Sequence, residues 1–190
     1  MNIYSLIDAI ELNSFEKVKK CLLFKDQFDI NQSVKNDDDS FYFALSVAFS
    51  LNAKNNNIEI IKALLEAGAD IHKQTDRNDT MLIWAANQVS QNLINICVQY
   101  KVNPNTRNDW NQTALILIPF EEKNKKFIQA FIEIFSDSEE QLEEFKKQIK
   151  NLPPVHKACI GDIIDSVSQK YKLESMLTPY LHVAKNKVKI

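Results

Sequence analysis

Two segments of the chain repeat one another without a gap at an offset of 33 residues. Thr80 and Thr113 hold matching positions, Leu82 and Leu115 match two residues later, and the polar residues before each threonine also correspond. A period of this length is typical of chains that stack small units of supersecondary structure, because one unit cannot bury its own apolar face. The period therefore predicts a row of short helix pairs and argues against a core centred on a β-sheet.

The residues within the repeat suit two short helices. Thr80 is placed to cap the first helix through its hydroxyl group, and the small side chains of Ala85 and Ala86 allow neighbouring helices to approach closely. Several apolar side chains fall on one face, where we expect them to pack against adjacent repeats. They are Leu82, Ile94, Cys97 and Val98.

Left-handed backbone turns are expected where these short helices end. Gly68 lies just past one predicted helix, and glycine adopts the left-handed conformation without a steric penalty. Asparagine is the non-glycine residue that tolerates this conformation best. We therefore expect the same turn conformation at four asparagines: Asn13, Asn56, Asn78 and Asn111.

The chain resembles the ankyrin-repeat family in two stretches. Residues 60–72 are similar to the family's second helix and the turn after it, and residues 153–159 are similar to its Pro-Leu-His-x-Ala-Ala signature. The resemblance implies an all-α fold, an α-solenoid of about five stacked helix-turn-helix repeats with short β-hairpin fingers and atypical capping repeats. It also implies that the signature histidine, His156, bonds to backbone in the turn below it. Met81 departs from the family, which usually has proline at that position.

We expect one ankyrin-repeat domain over residues 1–184, followed by a basic tail at 185–190. The repeats are predicted at residues 2–34, 35–73, 74–106, 107–136 and 152–172. An extra amphipathic helix is predicted at 137–150, with Ser136 or Asp137 as its N-cap and acidic residues in its first turn. A closing helix is predicted at 173–184. The sequence leaves open whether residues 152–181 form a fifth repeat or a separate helical cap.

The charge balance argues against a nucleic-acid or membrane partner. The net charge is −2, and among the 23 basic residues only Arg77 and Arg107 are arginine, the residue that phosphate and base recognition prefer. The apolar stretches are too short to span a bilayer, and the three widely spaced cysteines favour free thiols in a reducing compartment. We therefore expect a soluble, cytoplasmic protein that is monomeric when free.

The sequence contains no pattern that predicts catalysis, a cofactor or a metal site. Its three histidines are far apart, with no cysteine or carboxylate at metal-ligand spacing. Cys159 follows His156 by three residues, which would place a thiol and a base on one helix face. Because Cys159 replaces a packed small residue of the family signature, we expect a core thiol and no enzyme.

An acidic run, Asp37 to Asp39, lies in the predicted finger of the second repeat. A calcium loop would need alternating ligands and a later glutamate, and this stretch has neither. We therefore expect a solvated finger tip, with the recognition of a basic partner as the alternative.

The resemblance implies a partner-binding surface, because the family binds proteins through its finger tips and the concave face of its first helices. The matching positions are Tyr42, Asp76, Arg77, Asp79, Asn87, Gln88, Asp109, Trp110, Gln112, Phe120 and Glu121, with Ser50 and Leu51 as an extension. Trp110 is expected to stand exposed in a finger as an anchor, although a finger that folds back would bury it. Trp84 is expected mainly to pack between repeats.

These features favour a non-enzymatic protein-interaction module that binds one partner protein. The abundance of Asn, Lys and Ile indicates an AT-rich genome. Three narrower roles stay open: an effector that an intracellular microbe delivers into its host cell, a small inhibitor or immunity protein, and a ubiquitin-ligase adaptor. Leu152 and Pro153 resemble the start of an F-box-like segment, but the acidic residue and leucine-rich helix expected next are absent.

Overall fold

The computed structural model describes residues 1–35, 40–55, 57–136 and 138–187. Within these residues the chain forms ten α-helices, three short 3₁₀ segments and one two-stranded hairpin. The chain divides into two compact units, Met1–Pro119 and Phe120–Ile190. The single domain predicted over residues 1–184 stays a prediction.

The first unit is built from helix pairs that lie side by side. The pairs are α1 (Ile3–Glu11) with α2 (Phe15–Leu22), α3 (Ala44–Asn55) with α4 (Ile58–Glu66), and α5 (Met81–Asn87) with α6 (Gln91–Gln99). The first helices also pack in series, with α1 on α3, α3 on α5, and α5 on α7 (Ala114–Leu117). A hairpin of β1 (Val34–Lys35) and β2 (Phe41–Tyr42) precedes α3. This arrangement confirms the predicted α-solenoid with short fingers.

Apolar side chains of neighbouring pairs form one continuous core. Leu82, Ile94 and Cys97 are fully buried as predicted, whereas Val98 is half-buried. Complete burial of an aliphatic or aromatic side chain contributes roughly 1.5–3 kcal/mol. The largest buried side chains of this unit are Phe43, Phe49, Ile3, Leu6, Ile10, Leu45, Ile60, Ile61, Leu64 and Met81.

Side-chain caps define where several helices begin. The hydroxyl of Thr80 accepts a hydrogen bond from the backbone N–H of Ile83 at 3.2 Å, which confirms its predicted capping role. Ser14 and Ser90 cap α2 and α6 in the same way. Thr113 also precedes a helix, but α7 has only four residues. Ile118 is extended because the ring of Pro119 disfavours the helical conformation of the residue before it. Pro119 therefore ends α7 early.

Left-handed backbone occurs at most of the predicted turn positions. Gly68 has a φ of 102°, and Asn13, Asn78 and Asn111 have φ values of 48°, 58° and 59°. Asn56 lies outside the described residues. Val89 and Lys101 also have positive φ, of 51° and 55°, without the asparagine or glycine that the prediction relied on.

The second unit packs three helices around its own apolar core. They are α8 (Lys125–Phe135), α9 (Glu139–Gln148) and α10 (Pro154–Lys187), with α10 against both of the others. The helix α9 confirms the predicted extra helix. Its N-cap is Ser138, whose hydroxyl accepts from the N–H of Gln141 at 3.2 Å, and not Ser136. Asp137, the other predicted cap, lies outside the described residues.

A single continuous helix replaces the predicted fifth repeat at 152–172 and closing helix at 173–184. Pro154 starts α10 at a position where its missing N–H costs nothing. Ile160, Ile164 and Val167 are buried at helical spacing, and Gly161 between them has no positive φ. Without a left-handed residue to turn the chain, the apolar stripe continues the helix, so no helix-turn-helix pair forms here. Of the predicted tail at 185–190, residues 185–187 belong to α10 and 188–190 lie outside the described residues.

None of the helices in the described part of the chain combines enough length with enough apolar character to cross a bilayer.

Candidate functional site

Two successive fingers of the first unit have the same backbone fold. In finger A (residues 75–79) the N–H of Thr75 donates to the carbonyl of Asp79 at 3.1 Å. In finger B (residues 108–112) the N–H of Asn108 donates to the carbonyl of Gln112 at 3.0 Å. The fourth residue of each finger is an asparagine with positive φ. The period of 33 residues seen in the sequence is therefore a repeat of three-dimensional structure.

The side chain of the first residue in each finger accepts hydrogen bonds from backbone N–H groups of the same finger. The Thr75 hydroxyl accepts from the N–H groups of Arg77 and Asp79 at 3.4 and 3.1 Å. The Asn108 Oδ1 accepts from the N–H groups of Trp110 and Gln112 at 3.1 and 3.0 Å. A side-chain oxygen at this position therefore organises the backbone that presents residues 76, 77, 109 and 110.

Hydrogen bonds also join the two fingers to each other. The N–H of Asp109 donates to the carbonyl of Arg77 at 3.1 Å. The Asn78 amide donates to the Asp109 carboxylate at 2.6 Å, and the Asn108 amide donates to the Asp79 carboxylate at 2.9 Å. The two fingers are thus held as one ordered edge of the first unit.

Trp110 occupies the exposed part of this edge, where 56% of its surface is accessible. This agrees with the exposed position predicted from the sequence and excludes a finger folded back onto the core. The Arg77 guanidinium lies 5.6 Å from the centre of the indole ring, within the range of a cation–π interaction. This contact couples the side chains of adjacent fingers and restricts both of them.

A groove of about 600 Å³ adjoins finger A. Its lining comes from strand β2 and the residue before it, from finger A, and from the first helices α1, α3 and α5. Four of the predicted residues line it, together with both residues of the predicted extension: Tyr42, Asp76, Arg77, Asp79, Ser50 and Leu51. Trp84, which was expected mainly to pack between repeats, lines the same groove and is only partly buried.

The hairpin and finger A are joined across the groove's edge. The N–H of Phe41 donates to the Asp76 carboxylate at 3.1 Å, and Phe41 is 48% exposed. The acidic run at residues 37–39 lies outside the described residues.

Other predicted site residues have structural contacts of their own. The Gln88 amide donates to the carbonyl of Phe49 at 2.7 Å and so ties α5 to α3, while Asn87 is exposed. In the second unit, the ring of Phe120 stacks on His156, with centroids 4.3 Å apart and planes within 8°. His156, which the resemblance placed in a backbone hydrogen bond, thus packs against an aromatic ring. Glu121, also in the second unit, pairs with Lys123.

Two of the three thiols, those of Cys21 and Cys97, have environments that do not favour nucleophilic chemistry. Burial raises the pKa of Cys97 and Cys21, so both hold their protons at neutral pH. Cys159 is only half-buried, so the core position expected from the family signature is wrong for this thiol. No group of three or more His, Cys, Asp or Glu residues in the described ranges could hold a metal ion.

Reasoning from the sequence missed several residues of this site, among them Glu11, Phe41, Thr75 and, most consequentially, Asn108. Asn108 is 7% exposed and contacts partners in both fingers. A signal was present, because Thr75 and Asn108 each lie five residues before a threonine at the start of a helix. Both residues at this position of the repeat are polar, and Asn108 is largely buried. A buried polar side chain normally has hydrogen-bond partners, so a polar residue repeated at this position indicates such contacts.

Comparison with known proteins agrees with this architecture. A family model described as ankyrin repeats, in three copies, matches residues 45–139, which is half of the chain. A Rickettsia bellii protein described as an ankyrin repeat protein is 34% identical over 68 residues, which are 35% of this chain and 8% of that protein. This chain therefore matches only a small part of that relative's length.

A solved structure, the ankyrin repeat domain of Bcl-3 from the IkappaB protein family, is similar with a TM-score of 0.52 and 20% identity. The alignment covers 67% of this chain and 50% of that one, so the likeness concerns the fold alone. Together with the repeated fingers and the row of helix pairs, these matches show that the chain belongs to the ankyrin-repeat family.

Proposed function

We propose that this chain is a non-enzymatic interaction module that binds one partner protein through its finger tips and the concave face of its first helices. Ankyrin repeats are general protein-interaction modules, and the described residues offer a surface suited to that task. The proposal covers a cytoplasmic location and a free state that is monomeric.

The observation that carries the proposal is the ordered edge formed by fingers A and B beside the groove. Trp110 stands exposed on this edge while its backbone is held by Asn108 and its ring is covered on one side by Arg77. An aromatic side chain that is fixed before binding loses little conformational entropy in a complex. Tryptophan and arginine are also the residue types most often found at the energetic centre of protein interfaces.

Two narrower roles follow from the same module. The relative in Rickettsia bellii supports a bacterial source, and we propose an effector that a microbe delivers into a host cell, with a small inhibitor or immunity protein as the alternative. A toxin gene beside this one would favour the immunity role. The ligase-adaptor role has less support, because residues 154–187 form one helix and not a bundle of short ones.

Affinity capture tests the proposal with the intact chain as bait. A partner captured by the wild type should be lost with Trp110→Ala, because truncation of an interface tryptophan typically weakens binding by at least about thirtyfold. Phe24→Ala is the matched control, since Phe24 is 45% exposed in the segment after α2 and belongs neither to the fingers nor to the lining of the groove. Retention of the partner by Trp110→Ala and its loss with Phe24→Ala would place the binding surface elsewhere.

A further inference from the structure

We infer that the groove beside finger A binds a partner segment that presents a lysine or arginine side chain next to an apolar one. This inference rests on the proposed function, because it specifies the chemistry of the partner at the same surface. It derives from the balance of charge and apolar area among the described lining residues.

The charged lining of the groove is predominantly negative. Glu11, Asp76 and Asp79 contribute three carboxylates, while Arg77 contributes one guanidinium. The guanidinium also lies over the ring of Trp110, and its single positive charge balances only one of the three carboxylates. The carboxylates of the groove therefore outnumber the basic groups that could neutralise them, and a phosphate-bearing ligand would be repelled.

The carboxylates retain capacity to accept further hydrogen bonds. Asp76 uses Oδ2 for the N–H of Phe41, and Asp79 uses Oδ1 for the amide of Asn108. Each ionised carboxylate has two oxygens and about four lone-pair sites. In the described part of the chain the Glu11 side chain forms no ion pair. Ammonium and guanidinium groups carry only donors, so they match this set of acceptors.

Apolar surface lies directly beside these acceptors. Phe41 is 48% exposed, and Val47, Leu51 and Trp84 are partly buried residues of the same lining. Lysine and arginine bury their aliphatic stems along apolar surface while their charged ends remain solvated. A segment with one cationic and one aliphatic or aromatic side chain would therefore use both parts of the groove.

The inference can be tested with random peptides displayed on phage, selected on the wild-type chain. The enriched peptides should share a lysine or arginine beside an apolar residue. Their affinity should fall about tenfold in Asp76→Asn/Asp79→Asn, and it should fall as NaCl rises from about 0.05 M to about 0.5 M. The asparagine oxygens keep the acceptors for Phe41 and Asn108, so the double variant removes charge while it retains the finger contacts.

The matched control is Asp26→Asn/Glu66→Gln, which changes the net charge equally at two exposed positions outside the groove. It should leave the affinity unchanged. If Asp76→Asn/Asp79→Asn unfolds, Glu11→Gln replaces it and should weaken binding about threefold. Circular dichroism and urea unfolding establish which variants are folded.

The outcomes separate this inference from the proposed function. Enriched peptides that lack basic residues, or that bind equally to Asp76→Asn/Asp79→Asn, would refute the inference, while their loss with Trp110→Ala would still support the binding surface. Peptides that bind Trp110→Ala, Glu11→Gln and the wild type equally would count against both.

Discussion

Asn108 offers a sharp test of how the fingers are held. In Asn108→Ala the N–H groups of Trp110 and Gln112 lose their side-chain acceptor. The Asp79 carboxylate and, at the longer distance of 3.3 Å, the Gln112 side-chain oxygen lose their amide donor. Each neutral hydrogen bond contributes about 1 kcal/mol and one to a charged group about 1.5 kcal/mol or more. Because water can reach part of this edge and replace some of these bonds, we expect a loss of about 2–3 kcal/mol.

Two further variants separate the hydrogen bonds that the side chain at position 108 accepts from those that it donates. Asn108→Thr copies the residue that finger A has at this position, so its hydroxyl can accept from the same two N–H groups. The amide bonds to Asp79 and to the Gln112 side chain are lost. Asn108→Thr should cost about 1–1.5 kcal/mol. Thr75→Ala removes two hydrogen bonds within finger A alone, and should cost about 1–2 kcal/mol.

Urea unfolding followed by far-UV circular dichroism measures these differences as shifts of the midpoint at constant slope. The free energy of unfolding should be lowest in Asn108→Ala, intermediate in Asn108→Thr and highest in the wild type. An Asn108→Ala chain within about 0.5 kcal/mol of the wild type would show that the fingers do not depend on this side chain. Equal losses for threonine and alanine would show that the hydroxyl does not replace the amide oxygen.

Two other predictions concern the backbone and the core. Val89 has a φ of 51° and directly precedes Ser90, the N-cap of α6. The equivalent residue in the first repeat is Asn13, which precedes the N-cap Ser14. The left-handed conformation costs a β-branched residue about 1–2 kcal/mol of conformational free energy. Urea unfolding should therefore show a free energy of unfolding about 1 kcal/mol higher in Val89→Asn than in the wild type, and a lower one in Asn13→Val. A Val89→Asn chain no more stable than the wild type would contradict this explanation. Burial raises the pKa of Cys97 above its ordinary value of 9.0. Below pH 9.0 the thiol therefore keeps its proton in the folded and in the unfolded chain, whereas just above that pH only the unfolded chain releases it. Between about pH 9 and pH 10.5 the free energy of unfolding should therefore fall more steeply in the wild type than in Cys97→Ala, by up to about 1.4 kcal/mol per pH unit. Urea unfolding at a series of pH values measures both slopes, and parallel slopes would show that burial of the Cys97 thiol does not cause the pH dependence.

The sequence predicted most of the first unit because its signals are local. A threonine before an apolar run is suited to cap a helix, and asparagine tolerates the left-handed conformation of a tight turn, so Thr80, Asn78 and Asn111 behaved as expected. The period supplied the rest, since it fixed how one helix pair follows another.

The second unit was predicted less well because its signature indicates where a helix begins and not where it ends. Residues 153–159 carry the family pattern, and Pro154 does start a helix. The end of that helix depends on the residues that follow, and Ile160, Ile164 and Val167 keep one buried stripe in phase. A repeat pattern therefore describes a helix pair only when a turn residue stands between its two helices.

The contacts that organise the candidate site were the hardest to foresee because they do not lie at the repeat distance. Asn108 reaches Asp79 across 29 residues and Asn78 reaches Asp109 across 31, whereas matching positions are 33 apart. Comparison of equivalent positions shows what each finger does for itself, but the coupling between fingers depends on pairs offset by a few residues. Stacked repeats interact mainly with their nearest neighbours, so such offset pairs of polar residues are where the proposed binding surface and the stability of the stack meet. Asp79 is an example, because it lines the groove and also accepts the hydrogen bond from Asn108.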